Sequence, residues 1–175
     1  MNENFVFIVN GQTVSVSEEK NLLDYLREDL GLISVKDGCK EGACGTCTIL
    51  VDGKAMKSCI LTTKKAVGKE ITTVEGLSQR EKDAFAYAFT ECGAVQCGFC
   101  IPGMVIAAKA LFLKTLNPTG EEVKKALVGN ICRCTGYVKI EQAILMAAEI
   151  LRENKEIERR ECKGLIGSNT GRVDA

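Results

Sequence analysis

Eight cysteines fall into two tight groups in a chain that contains ten cysteines and no histidine. In GCKEGACGTC, Cys39, Cys44 and Cys47 are spaced C-x4-C-x2-C, and Cys59 follows at the end of the next β-rich stretch. That is the spacing of plant-type [2Fe-2S] ligation, in which four thiolates converge on a compact diiron core. The loop must wrap such a core closely with N–H groups aimed at sulfur. Gly38, Gly42 and Gly45 suit this, because glycine adopts positive φ and lacks the Cβ that close wrapping excludes. The second group is Cys97 and Cys100 in QCGFC with Cys132 and Cys134 in ICRC. Each pair stands just before a helical pattern, so the positive ends of two helix dipoles and their unpaired N–H groups can face an anionic cluster. Cys132-Arg133-Cys134 must be turned, since residues two apart in an extended segment sit too far apart to share one small site; Gly129 and Gly136 relieve its ends. Arg133 either offsets cluster charge or is a solvated surface arginine.

Zinc held by four cysteines is the main rival for either set, since tetrahedral zinc also takes C-x2-C pairs. Zinc ribbons usually pair two such knuckles, whereas here one set has a lone fourth ligand and the other a C-x-C. A disulfide framework fits less well: the start, MNENFVFIVNG, has no positive region followed by a long apolar run, which makes a reducing cytoplasm the expected location. Cys92, on the last turn of a helical pattern, reads as a buried apolar thiol and Cys162 as a free thiol in the tail.

The elements that must position these residues follow from pattern. FVFIVNGQTVSV (5–16) and TILVDGKAMKSCI (48–60) are hairpin signals, with Asn10-Gly11 and Asp52-Gly53 at the turns. LLDYLREDLGL (22–32) has leucines at helical spacing with Gly31 as a stop, and ITTVEGL (71–77) supplies a last strand. Residues 1–77 therefore predict a β-grasp domain in an α+β chain. From Ser78 the pattern turns helical. Ser78 with Glu81 and Thr119 with Glu122 are capping boxes, Pro102 opens another helix, and IEQAILMAAEILREN (140–154) is strongly periodic. Residues 78–154 predict a four-helix bundle, and 155–175 a linker or tail. Lys plus Arg and Asp plus Glu are 23 each, which argues against a polyanionic partner such as nucleic acid. The longest apolar run, broken at Lys109 and Lys114, is too short for a bilayer, so no membrane is expected.

GCKEGACGTC with Cys59, GAVQCGFCIPGM and GNICRCTGY together resemble the iron–sulfur subunit or domain of the molybdenum hydroxylase family, to which xanthine dehydrogenases and aldehyde oxidoreductases belong. The resemblance covers nearly all of residues 4–154. It implies a β-grasp ferredoxin-like domain with one [2Fe-2S] cluster, a four-helix domain with the other, and a large molybdenum-binding subunit as partner. It also implies that Gln96 and Cys134 contact the partner's molybdopterin, although Gln96 by itself reads as an exposed polar residue before a ligand loop. Electrons would pass from the pterin to the Cys97/Cys100/Cys132/Cys134 cluster, then to the Cys39/Cys44/Cys47/Cys59 cluster, then to an FAD-binding subunit or another acceptor. SVKDGCKEGACGTC, VEGLSQREKDAF and QCGFCIPGM most resemble selenium-dependent xanthine dehydrogenases or other purine hydroxylases of anaerobic bacteria. LIGSNTGRVDA resembles the junction at which the large catalytic region begins, so the chain is either a separately made subunit with a short docking tail or the first piece of a longer or split polypeptide.

No catalytic base, nucleophile or phosphate loop is legible, so the expected role is conduction within an oxidoreductase. The same subunit in a nicotinate, aldehyde or CO dehydrogenase is one alternative. A freestanding two-cluster carrier is another, which copurification with a molybdenum subunit would distinguish. A zinc-stabilised interaction module is the third, and it would be colourless.

Overall fold

The computed structural model describes residues 4–155 and 157. Most of the expected tail, Cys162 included, lies outside the described residues.

β-rich runs joined at Asn-Gly and Asp-Gly turns build two hairpins. β1 (Phe5–Val9) and β2 (Gln12–Val16) pair antiparallel, as do β3 (Thr48–Val51) and β4 (Lys54–Lys57). Both turns take the left-handed φ their sequences demand, at Asn10 (51°) with Gly11 (80°) and at Asp52 (50°) with Gly53 (76°). β5 (Glu70–Thr72) joins them by pairing parallel with β1 and antiparallel with β3, which gives the order β2-β1-β5-β3-β4 among the described residues. This last strand is shorter than 71–77 suggests, because Val74–Gly76 closes into a 3-10 turn.

The 22–32 segment differs from a plain helix. α1 (Leu22–Asp24) is capped by the Asn21 side chain and runs into a π-helical turn, Tyr25–Asp29. The wider winding lets Leu22, Leu23, Tyr25 and Leu26 all be buried with Phe7, Val9, Ile49 and Ile71, so a narrow helical stripe becomes a broad apolar face.

The second unit has α2 (Gln79–Glu91), α3 (Ile101–Phe112), α4 (Gly120–Ala126) and α5 (Val138–Glu153). Both capping boxes form. α2 and α5 pack through Ala84, Phe85, Ala88 and Phe89 against Ile140, Ala143, Ile144 and Ala147. α3 is buried over most of its surface, with Met104, Ile106, Ala107 and Ala108 each at most 2% exposed. It sits between the bundle and β3, whose Leu50 belongs to the helical core. The architecture is α+β, a β-grasp sheet followed by helices, as expected.

Candidate metal centres

All eight predicted cysteines are reduced and are brought together as two sets, each divided into pairs. Among the described residues, no three His, Cys, Asp or Glu side chains converge on the position of a single ion. In the second set Cys97 and Cys134 are exposed with their sulfurs 3.7 Å apart, while buried Cys100 hydrogen-bonds half-buried Cys132. In the first set Cys39 pairs with Cys44 toward the surface, and buried Cys47 with buried Cys59 beneath. The pairs also feel one another, Cys59 interacting with Cys39, Cys100 with Cys97, and Cys134 with Cys132. Two thiolates on each of two irons is the donor set of a [2Fe-2S] core, and thiols in two pairs are what each site presents.

The surroundings divide the sulfurs: N–H and hydroxyl donors favour the anion at Cys39 and Cys132, while burial and neighbouring thiols oppose it at Cys59, Cys100 and Cys134. Cys39 receives backbone N–H groups from Cys44 (3.4 Å), Glu41 and Ala43, and these hold its thiol down at about 7. Gly42 N–H is aimed at Cys59. Burial outweighs that donor, and with Cys47 alongside pushes the Cys59 thiol up to about 11; burial and Cys132 push Cys100 to about 12. Cys134 is raised by its contact with Cys97. Burial also works against the Cys132 thiolate, but the Thr135 hydroxyl at 3.1 Å and N–H at 3.5 Å prevail and leave it lowered.

Gly42 and Gly45 take φ of +78° and +72°, as wrapping requires. Gly38 serves differently from the expected positive φ: a Cβ there would lie 2.7 Å from Thr46 Oγ1 and 2.9 Å from Cys44 Sγ. Gly129 and Gly136, at +86° and +71°, bracket the turned Cys132–Cys134 segment. Cys100 is the N-cap of α3, whereas Cys134 is separated from α5 by Thr135, Gly136 and Tyr137. Tyr137 also adopts left-handed φ, 71°, and its hydroxyl accepts the Cys132 N–H at 2.8 Å. Arg133 and Gln96 are exposed, the latter beside exposed Cys97. Cys92 is half-buried at the end of α2, packed on the helical core, and burial raises its thiol as expected of an apolar cysteine.

Sequence reasoning passed over the residues that join the two sites. Asn130, 7% exposed, donates from Nδ2 to Gly45 O at 2.9 Å and to Thr48 Oγ1 at 3.3 Å. Ile131 N–H donates to Cys44 O at 2.8 Å, tying the loop of one set to the residue before Cys132 of the other. Backbone approaches so closely that a Cβ on Gly45 would lie 2.3 Å from Gly129 O, and one on Gly103 would lie 2.4 Å from Gly45 O. In the sequence Asn130 and Gly103 had no local explanation, and Gly45 and Gly129 had one that stopped at their own loops.

The fold and the paired thiols define a two-site iron–sulfur protein. A 2Fe-2S iron-sulfur cluster binding domain matches residues 7–78, and a second [2Fe-2S] binding domain matches residues 73–145. The nicotinate dehydrogenase small FeS subunit of Eubacterium barkeri is 47% identical over 144 residues, 81% of this chain and 92% of that one. A probable xanthine dehydrogenase subunit of Bacillus subtilis is 45% identical over 137 residues, 77% of this chain and 79% of its own. The solved quinoline 2-oxidoreductase of Pseudomonas putida 86 superposes with a TM-score of 0.77 at 42% identity, covering 86% of this chain and 96% of the matched chain. This chain belongs to the iron–sulfur subunit family of the molybdenum hydroxylases, with two [2Fe-2S] clusters as its cofactors. Zinc, the rival for the same thiols, is set aside. No helix among the described residues is long and apolar enough to cross a membrane.

Proposed function

We propose that Cys39, Cys44, Cys47 and Cys59 hold one cluster and Cys97, Cys100, Cys132 and Cys134 the other, in a cytoplasmic subunit that relays electrons from a partner's molybdopterin to an FAD-binding subunit or another acceptor. The observation that carries this is the joining of two four-thiol sites by Asn130 and the Ile131–Cys44 hydrogen bond. A carrier needs one accessible site; two sites locked back to back suit conduction between two partners. Bound [2Fe-2S] clusters supply one-electron oxidation and reduction.

This chain's own residues do the positioning. The amide groups of residues 41–44 face Cys39 and Cys59, and Thr135 braces Cys132. The exposed Cys97–Cys134 edge, with Gln96 beside it, is the side we assign to the partner's pterin. The residues that recognise substrate belong to the partner. A purine such as xanthine is the substrate we put first, supported by the likeness to the B. subtilis protein; nicotinate is the second reading, favoured by the E. barkeri relative.

The test is metal analysis and low-temperature EPR of the natively purified complex after anaerobic reduction, with turnover of xanthine and nicotinate. About four irons per chain, two distinct [2Fe-2S] signals and comigrating molybdenum are expected. Two iron centres without a molybdenum partner at any step would instead promote the freestanding carrier.

A further inference from the structure

Lys57 ends β4, two residues before Cys59, and is half-buried. Its ammonium donates to main-chain oxygens of the other side of the first site, Gly42 O at 2.5 Å and Ala43 O at 3.2 Å. Those carbonyls belong to the two consecutive peptide groups whose N–H ends are Ala43 and Cys44. The Cys44 N–H donates to the Cys39 sulfur at 3.4 Å, and the Ala43 N–H acts on the same sulfur more weakly. No peptide bond among the described residues is cis, so each of these two groups presents its oxygen to Lys57 and its hydrogen, on the opposite edge, to sulfur. A cation on the oxygen polarises the peptide and strengthens the N–H···S bond at its far end. The ammonium also packs beside Gly129, where a Cβ would lie 3.1 Å from Nζ, and glycine there leaves room for the lysine.

We propose that Lys57 is a positioning residue that sets the reduction potential of the Cys39/Cys44/Cys47/Cys59 centre, by clamping the two peptide groups that donate to Cys39 and by adding a fixed positive charge beside them. The proposal rests on the ligand assignment above. Its sign follows from charge. Reduction adds one electron to the centre, and both the nearby ammonium and the strengthened N–H···S bonds stabilise the more negative state, so Lys57 raises the potential. The effect is local, since the Cys97/Cys100/Cys132/Cys134 sulfurs take their donors from other residues.

The test is an EPR-monitored potentiometric titration of the natively purified complex carrying Lys57→Gln or Lys57→Arg, with the signal of the first centre identified by its altered line shape in Cys39→Ser. In Lys57→Gln the reduced-to-oxidised ratio of the first centre at a fixed solution potential should fall about tenfold, ~59 mV for a one-electron couple. The second centre should titrate unchanged in the same sample, and Lys57→Arg should restore the wild-type curve. The proposal is overturned if Lys57→Gln titrates as wild type, if Lys57→Arg shifts as far as Lys57→Gln, or if both centres shift together. Loss of the first centre from Lys57→Gln would also overturn it, making Lys57 a folding clamp. Failure of the wild-type complex to show two [2Fe-2S] signals would refute the ligand assignment beneath it and not the role of Lys57 alone.

Discussion

Gly103 stands in the first turn of α3, where alanine would ordinarily favour the helix. Here the missing Cβ is what lets α3 reach the first cysteine loop, since that atom would fall 2.4 Å from Gly45 O, which is backbone and cannot swing aside. Gly103→Ala should therefore destabilise the protein by ~1–3 kcal/mol, the cost of overpacking, despite its better helix propensity. A urea midpoint equal to or above wild type would refute this. The residue scale divides cleanly by legibility. Cysteine spacing is chemical information and was readable, as were the glycines beside the ligands. Gly103 and Lys57 act on atoms far along the chain, and nothing near them in sequence indicates what they touch.

Elements announced themselves where their stabilisation is local. The Asn-Gly and Asp-Gly turns and the two capping boxes involve neighbours within three or four residues, and they form as read. The segment after Asn21 did not, because the π turn arises from burying Tyr25 and Leu26 against a sheet assembled from both hairpins. The Ser78 box also has a tertiary extension. Glu81 accepts from Ser78 and forms an ion pair with Lys109 of α3. Burial opposes its charge, but the hydrogen bonds from Lys109 and Ser78 outweigh it and hold the carboxyl below its ordinary range. The unfolded carboxyl titrates near about 4.3, so this stabilisation is fully present above that pH and is lost as pH falls through the lower folded value. Glu81→Gln keeps an acceptor for Ser78 but loses the charge facing Lys109, and should lower stability by about 1 kcal/mol at pH 7. The gap to wild type should be narrower at pH ~3.5, where the unfolded carboxyl is already mostly protonated. Urea melts of the two proteins at both pH values check this, and a pH-independent gap would show that the charge is not responsible.

At the scale of the molecule, the two units are joined by apolar packing of α3 on β3 and by a polar group buried where they meet. Asn130 reaches across 85 residues of sequence to Gly45 O, in a contact that also holds the Ile131–Cys44 hydrogen bond in register. Asn130→Ala removes both donors of the amide from a buried site and should cost ~1–3 kcal/mol. Denaturation followed by visible absorbance and by far-UV circular dichroism should show both transitions moving to lower urea. Movement of the circular dichroism transition alone would mean that Asn130 supports the helices and not the metal centres. The sequence by itself determined the donor types, the spacing within each cysteine set, the hairpin turns and the helix starts, because each depends on residues close enough in the chain to constrain one another directly. Only the tertiary structure decided how the sets divide into outer and inner pairs, that Lys57 braces the first loop, and that Gly45, Gly103, Gly129 and Asn130 bring the two loops into contact. Those are contacts between distant segments, fixed by shape and by the need to pair buried backbone groups, and no local pattern encodes them.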